Sequence, residues 1–289
     1  MAEPEPGWEF ATAPPRSAPG VSAMVGYRAL GLPAPLHRGL PSSRLTFIVT
    51  LDEGVEAAPT EPGLADVRPV PVILGGLHTT ASYVRQRPGQ AGVQLALHPL
   101  AARAVLGAPA AELSVTDFDG TSFLGAWATR LHQRLTETTG WPQAFRLVAE
   151  ELLARSALDR TRLRPELVHA WHLLERSGGR MPVEMVAREV QLSARHLGTL
   201  FRRELGRSPK AVAGLMRFEH ASSAIAERIR RTGRTELARV AAETGYADQA
   251  HLSREFNRYT GTSPRGWIAE EFRNIQDGGH GRAATWTHD

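Results

Sequence analysis

The sequence contains no cysteine, a single lysine among its 34 basic residues, and no long apolar run. Without cysteine there are no disulfides, no thiol nucleophile and no zinc site built on thiolate. The most apolar stretch, Leu45 to Leu51, is far short of the ~20 residues that span a bilayer. The opening MAEPEPGWEF lacks basic residues ahead of an apolar segment, so no secretory signal is expected and a cytoplasmic location is. No P-loop, GxSxG, HExxH or paired-carboxylate constellation occurs. His37, His78 and His98 are too scattered for the clustered His and Glu of a metal-binding cupin, and core or surface roles are expected of them. The chain is therefore not expected to be an enzyme, and neither a cofactor nor a metal is expected.

What is present is unevenly distributed. At 289 residues, 42% hydrophobic and 22% charged, the chain is long enough for two globular domains. Residues 160–275 hold 21 basic and 13 acidic residues, which leaves 13 basic and 17 acidic elsewhere. One region is thus basic and the other acidic, an asymmetry that points to a polyanionic partner for the C-terminal part. Proline divides the chain similarly: 15 of the 20 prolines precede residue 110. Proline interrupts helices and central strands, so the first part must consist of short elements and many turns.

These patterns predict an α+β chain. Residues 1–20 read as a disordered lead and 21–121 as a β-rich sensor or dimerisation domain, a small antiparallel barrel or sandwich. Its strand-like runs are Leu45–Leu51, Val70–Leu74, His78–Val84 and Val93–Leu97. Over 122–158 the period becomes helical, with Phe123, Leu124, Trp127, Leu131 and Leu135, then Phe145, Val148, Leu152 and Leu153. An αα-hairpin linking the domains is expected there, with a hinge over Arg155 to Arg164. Residues 159–275 form an all-α domain, and 276–289 a disordered tail.

Within that all-α domain lies an internal duplication. His196 to Pro209 reads HLGTLFRRELGRSP and His251 to Pro264 reads HLSREFNRYTGTSP, so at an offset of 55 seven of fourteen positions coincide. Chance would give about one match, and two copies at this period are not a solenoid. Ahead of each copy come a short amphipathic stretch (Met185, Val186, Ala187 and Val190; Leu237, Val240 and Ala241), a turn, and an N-cap residue, Ser193 or Asp248. Helix, short turn and capped helix make a helix-turn-helix, here twice. The first turn has Gln191 where the second has glycine, which predicts strain if φ is positive there.

On a helical wheel, Leu197, Leu200, Phe201 and Leu205 share one face of the first capped helix, with Arg195, Thr199 and Arg202 on the other. In the second, Leu252, Phe256 and Tyr259 face inward. Ala250, Arg254 and Asn257 face outward, and Gln249, His251 and Ser253 lie near the leading edge. A recognition helix needs this division, because Arg reads guanine and Gln reads adenine bidentately in the major groove. Arg203 and Arg258, on the flanks, suit phosphate contact or solvation. His196 suits structural packing beside its turn rather than catalysis, and His251 could do either. Between the copies, Ser208-Pro209 opens a helical run to about Arg231, ~34 Å long at 1.5 Å per residue. That length matches the ~34–36 Å between successive major grooves.

Residues Leu163 to Phe272 resemble the AraC/XylS family of bacterial transcription regulators. The resemblance rests on VAREVQLSARHLGTLFRRELGRSP, Arg217, and VAAETGYADQAHLSREFNRYTGTSP. Phe218 stands where the family prefers an aliphatic, and GWI follows Pro264-Arg265 in place of the common Tyr-Arg. The resemblance implies base contacts from Arg195, Gly198 and Thr199, and from Gln249, Ala250, His251 and Arg254. Arg202 joins them on the outward face, while Gly198 and Ala250 offer only steric or methyl contact. GVQLALHPLAARAVLGAPAAEL (Gly92 to Leu113) is similar to the effector or dimerisation domains that accompany such units, which are often cupin-like.

The expected function is a sequence-specific DNA-binding transcription regulator whose two recognition helices enter successive major grooves. Operator DNA is the partner; RNA polymerase, a small-molecule effector and a second copy of the chain are candidates beside it. Two other readings remain open: a metal-dependent cupin-like enzyme fused to a DNA-binding module, and an architectural DNA binder without a ligand. A DNA-repair alkyltransferase, which needs acceptor cysteines, is excluded.

Overall fold

The computed structural model describes residues 7–30, 36–158 and 162–271. Its N-terminal part is built on two antiparallel sheets. The larger has the order β1-β2-β8-β4-β6, from Trp8–Thr12, Val21–Ala29, Ala91–Leu97, Leu45–Thr50 and Val72–Gly75. The smaller has the order β3-β7-β5, from Leu36–Gly39, Ser82–Arg85 and Glu56–Ala58. Two corrections to the sequence reading follow. Trp8–Thr12 is a strand, not part of a disordered lead, because it pairs with β2 from Trp8↔Ala29 to Thr12↔Val25. His78 precedes its strand in a loop.

The larger sheet is covered on both faces, which explains why β4 reads LTFIVT without strict alternation. Leu45, Phe47, Val49, Val93, Leu95 and Leu97 are fully or almost fully buried. On that side lie the helices α1 (Ala102–Leu106), α2 (Gly120–Leu124), α3 (Ala126–Thr136) and α4 (Trp141–Ser156). Trp127 of α3 stacks on Phe47 with ring centroids 6.2 Å apart. Trp141 of α4 lies so close to Gly26 that a Cβ there would come within 2.2 Å of the indole. The α3–α4 hairpin therefore belongs to the N-terminal domain and does not merely link the domains. Phe123 and Leu153, expected inside, are 40% and 58% exposed. The hinge also begins later than expected: α4 runs through Arg155, whose guanidinium donates to the carbonyls of Val105 and Leu106. Part of that hinge, 159–161, and the expected tail, 276–289, lie outside the described residues.

Seven helices follow: α5 (Pro165–Arg176), α6 (Val183–Glu189), α7 (Ala194–Leu205), α8 (Pro209–Thr232), α9 (Leu237–Thr244), α10 (Gln249–Thr260) and α11 (Pro264–Glu271). All five prolines after residue 110 sit at an N-cap or in the first turn of a helix, where the missing N–H removes no hydrogen bond. At 24 residues, α8 is the longest helix among the described residues. Its residues Val212, Leu215, Phe218, Ala221 and Ile225 are fully buried, so both copies share it as a core wall.

Candidate nucleic-acid interface

Each copy is a helix-turn-helix, α6–α7 and α9–α10. Ser193 Oγ accepts from His196 N at 3.1 Å, and Asp248 Oδ1 accepts from His251 N at 2.6 Å. The turns leave α6 and α9 in the same way: the Leu192 and Tyr246 amides each donate five residues back, to Ala187 and Ala241. That closure needs a left-handed residue between them. Gly245 supplies it at φ 82°, and Gln191 supplies it at φ 55°, the strain expected from the sequence.

Arg217 of α8 fastens the two copies together. Its guanidinium donates to the Gly179 carbonyl and to Glu255, at 3.5 and 3.4 Å, and lies 5.3 Å from the Tyr246 ring. Phe218, the next residue, packs 5.1 Å from Phe256 and 4.8 Å from Tyr259, and Trp267 packs 5.4 Å from Phe256. The two departures from the family pattern, Phe218 and GWI, thus meet in one aromatic cluster beneath α10.

The inward faces of both recognition helices are buried as expected. Arg195, Thr199 and Arg202 of α7, and Gln249, Ala250 and Arg254 of α10, are all exposed. Among the described residues no carboxylate pairs with Arg195, Arg202 or Arg254, so their guanidiniums keep their donors for a ligand. The Thr199 hydroxyl donates to the Arg195 carbonyl at 3.1 Å. Arg203 and Arg258 are engaged on the flanks, with Glu204 at 2.9 Å and Glu255 at 3.0 Å. Gly198 is buried, with Arg202 Nη1 3.5 Å from where a Cβ would stand. His251 is half-buried and turned back on the turn, edge-on to Tyr246 at 5.2 Å, with its Nδ1 accepting from Ala247 N at 3.4 Å. His196 lies 3.2 Å from Arg164 beside its own turn.

Sequence reasoning missed a second feature, a cavity of about 360 Å³ between the two sheets. Ala23, Val25, Tyr27, Ile48, Ile73 and Gln94 of the larger sheet face it, with His37 and Val84 of the smaller. Ser222, Ser223, Ile225 and Ala226 of α8, the helix shared by both helix-turn-helix copies, also line it. Burial pushes His37 down to about 4, and His78 is lowered by burial first and by Arg207 in addition. Both rings are therefore neutral at pH 7. No sequence signal could have located this space, because strands 36–39 and 82–85 come to face the larger sheet only in three dimensions. Among the described residues there is no group of three or more His, Cys, Asp or Glu arranged to hold a metal.

A family model described as a helix-turn-helix domain matches residues 186–270. No curated protein matches the chain. Among solved structures, ToxT from Vibrio cholerae O395 is similar at 11% identity and a TM-score of 0.46, over 81% of this chain and 96% of that one. The xylose-binding transcription activator xylR is similar at 19% identity and a TM-score of 0.32, over 52% of this chain and 39% of that one. The AraC-like transcriptional activator CuxR is similar at 16% identity and a TM-score of 0.28, over 68% and 74%.

Proposed function

We propose, from the premise that residues 186–270 are a helix-turn-helix domain of the AraC type and the chain a transcription regulator, that one chain reads two half-sites of an asymmetric operator. Each recognition helix takes one half-site. The observation that carries this reading is the duplicated pair of capped helices, each with exposed arginine that no carboxylate pairs among the described residues (Arg195 and Arg202; Arg254), joined by one helix of 24 residues. At 1.5 Å per residue that helix is ~36 Å long, the separation of successive major-groove faces on one side of B-DNA. Arg195 and Arg254 are the guanine-reading candidates, Gln249 the adenine-reading one, and Thr199 and Arg202 complete the first set.

Selection of random duplexes by the wild type, Arg195→Ala and Arg254→Ala tests the assignment. Each substitution removes about 1–3 kcal/mol of discrimination at one or two base pairs. It should relax one half-site and leave the other intact, with the two relaxed positions about ten base pairs apart. Uniform weakening of all sequences would make these arginines phosphate clamps and end the base-reading assignment.

The cavity between the sheets supports an effector role for the N-terminal domain. Its walls are chiefly apolar, with a few polar groups, and a wall on α8 means that an occupant would touch the DNA-binding domain directly. A small, mostly apolar molecule with one or two polar groups fits that lining. Melting the full chain against a metabolite set tests it: a ligand should raise the midpoint, and Val25→Trp, which fills the space, should abolish the rise while the protein stays folded.

A further inference from the structure

The two recognition helices end alike. Gly206 closes α7 at φ 72° and Gly261 closes α10 at φ 73°, and these glycines coincide in the duplication. At both ends the N-terminal domain touches the glycine. A Cβ on Gly206 would lie 3.1 Å from the Ala111 backbone, and one on Gly261 would lie 3.3 Å from Arg38 Nη1. An arginine of the N-terminal domain docks beside each. Arg103 donates to Glu204 at 2.7 Å in the last turn of α7. Arg38 donates to the Thr260 carbonyl at 2.7 Å, the last residue of α10, and pairs with Glu270 of α11 at 3.1 Å. Tyr83 holds Arg38 in place, its hydroxyl 3.0 Å from Nη1.

The final carbonyls of a helix lack intrahelical donors and carry partial negative charge, so a cation from another domain is favoured there. Burial by itself would raise Glu204, but the bonds from Arg103 and Arg203 outweigh it and hold the carboxyl below its ordinary range. The partnership is therefore charged on both sides.

We propose that the N-terminal domain grips both recognition helices at this repeated point, and so sets the distance and phase between the two half-sites that one chain prefers. Arg38 and Arg103 are positioning residues: neither lies on the exposed faces of α7 or α10, and each acts through the helix it holds. Because the two grips are on opposite copies, loosening either leaves one helix correctly placed and frees the other. The base-reading faces themselves are untouched. This gripping presupposes the two-half-site reading given above.

The test uses the full chain on the duplex that the wild type selects, and on versions with one or two base pairs inserted between the half-sites. Two extra pairs rotate one half-site by about 70° around the duplex. The wild type should lose about tenfold or more in affinity, the order of one half-site's base contacts. In Arg38→Ala and in Arg103→Ala the loss on insertion should shrink to about threefold or less, with base preference inside each half-site unchanged. A spacing profile identical to that of the wild type overturns the proposal, and so does altered preference within a half-site. If Arg38→Ala fails to fold in a melt, Glu270→Gln removes its carboxylate partner alone and reads the same comparison. Failure of the wild type to select any sequence would instead strike the two-half-site reading, and the gripping role would fall with it.

Discussion

Gln191 and Gly245 do the same job in the two copies, and only glycine does it without strain. A side chain in the left-handed region costs about 1–2 kcal/mol. Glycine regains that but loses about 0.4–1 kcal/mol through greater freedom in the unfolded chain. Gln191→Gly should therefore stabilise the protein by about 1 kcal/mol, seen as a higher urea midpoint with an unchanged slope. An unchanged or lower midpoint would mean that the Gln191 side chain makes compensating contacts. Asp248 makes the opposite case: its carboxylate satisfies the His251 amide at the start of α10. Asp248→Ala should cost about 1 kcal/mol, and Asp248→Ser should restore most of it.

Elements in this protein meet at points where only backbone fits. Gly179, between α5 and α6, has φ 71°, and a Cβ there would come within 2.0 Å of the Ala213 carbonyl of α8. The obstacle is backbone, which cannot swing away, so Gly179→Ala should cost well over the ~1–3 kcal/mol of the dihedral strain alone. A melt within about 1 kcal/mol of the wild type would contradict that packing.

The N-terminal part carries a pH signature as well. His37 is pushed down to about 4 by burial; His98, 4.9 Å from the Trp171 ring, is pushed down to about 3 by burial and then by Arg44. Folded, both are neutral; unfolded, both bind a proton below about pH 6.5. The unfolded state thus binds more protons, so stability is full above about pH 6.5 and declines as the pH falls toward 4. Carboxylates held low, such as Glu204 and Asp119, add their own loss only below the ordinary carboxylate range. Urea midpoints between pH 7 and 5 should fall for the wild type and fall less for His98→Gln; equal slopes would refute the assignment.

On the scale of the whole molecule, polar contacts join the N-terminal part to α5, α7, α8, α10 and α11. Ser42 and Ser43 each donate to Glu219 of α8 at 2.5 Å, Arg44 pairs with Glu175 of α5, and Arg207 donates to the Leu77 carbonyl. None of these contacts involves Arg195, Arg202 or Arg254. The basic excess of residues 160–275 then acts in the intact protein. Affinity for duplex DNA should fall steeply and linearly on a plot of log K against log salt, through release of condensed counterions. A flat plot with the full chain would remove the electrostatic basis of binding.

Periodicity, caps and proline positions made the second half legible residue by residue. Ser193, Asp248, Ser208 and Pro209 occupy the positions read for them, because helix starts and stops are decided by local hydrogen bonding within a few residues. The duplication likewise revealed both helix-turn-helix units and the outward arginines, since the same local rules operate twice. The first half was legible only as short strands and turns. Residues 8–12 look unstructured by composition and become a strand because β2 offers an open edge, and α3–α4 joins the sheet because Trp127 finds Phe47. The cavity and the arginine grips depend on residues far apart in the chain, as Arg38 and Thr260 are. Long-range pairing leaves no periodic trace in a sequence. Tertiary packing alone decided where the N-terminal part touches the helix-turn-helix copies.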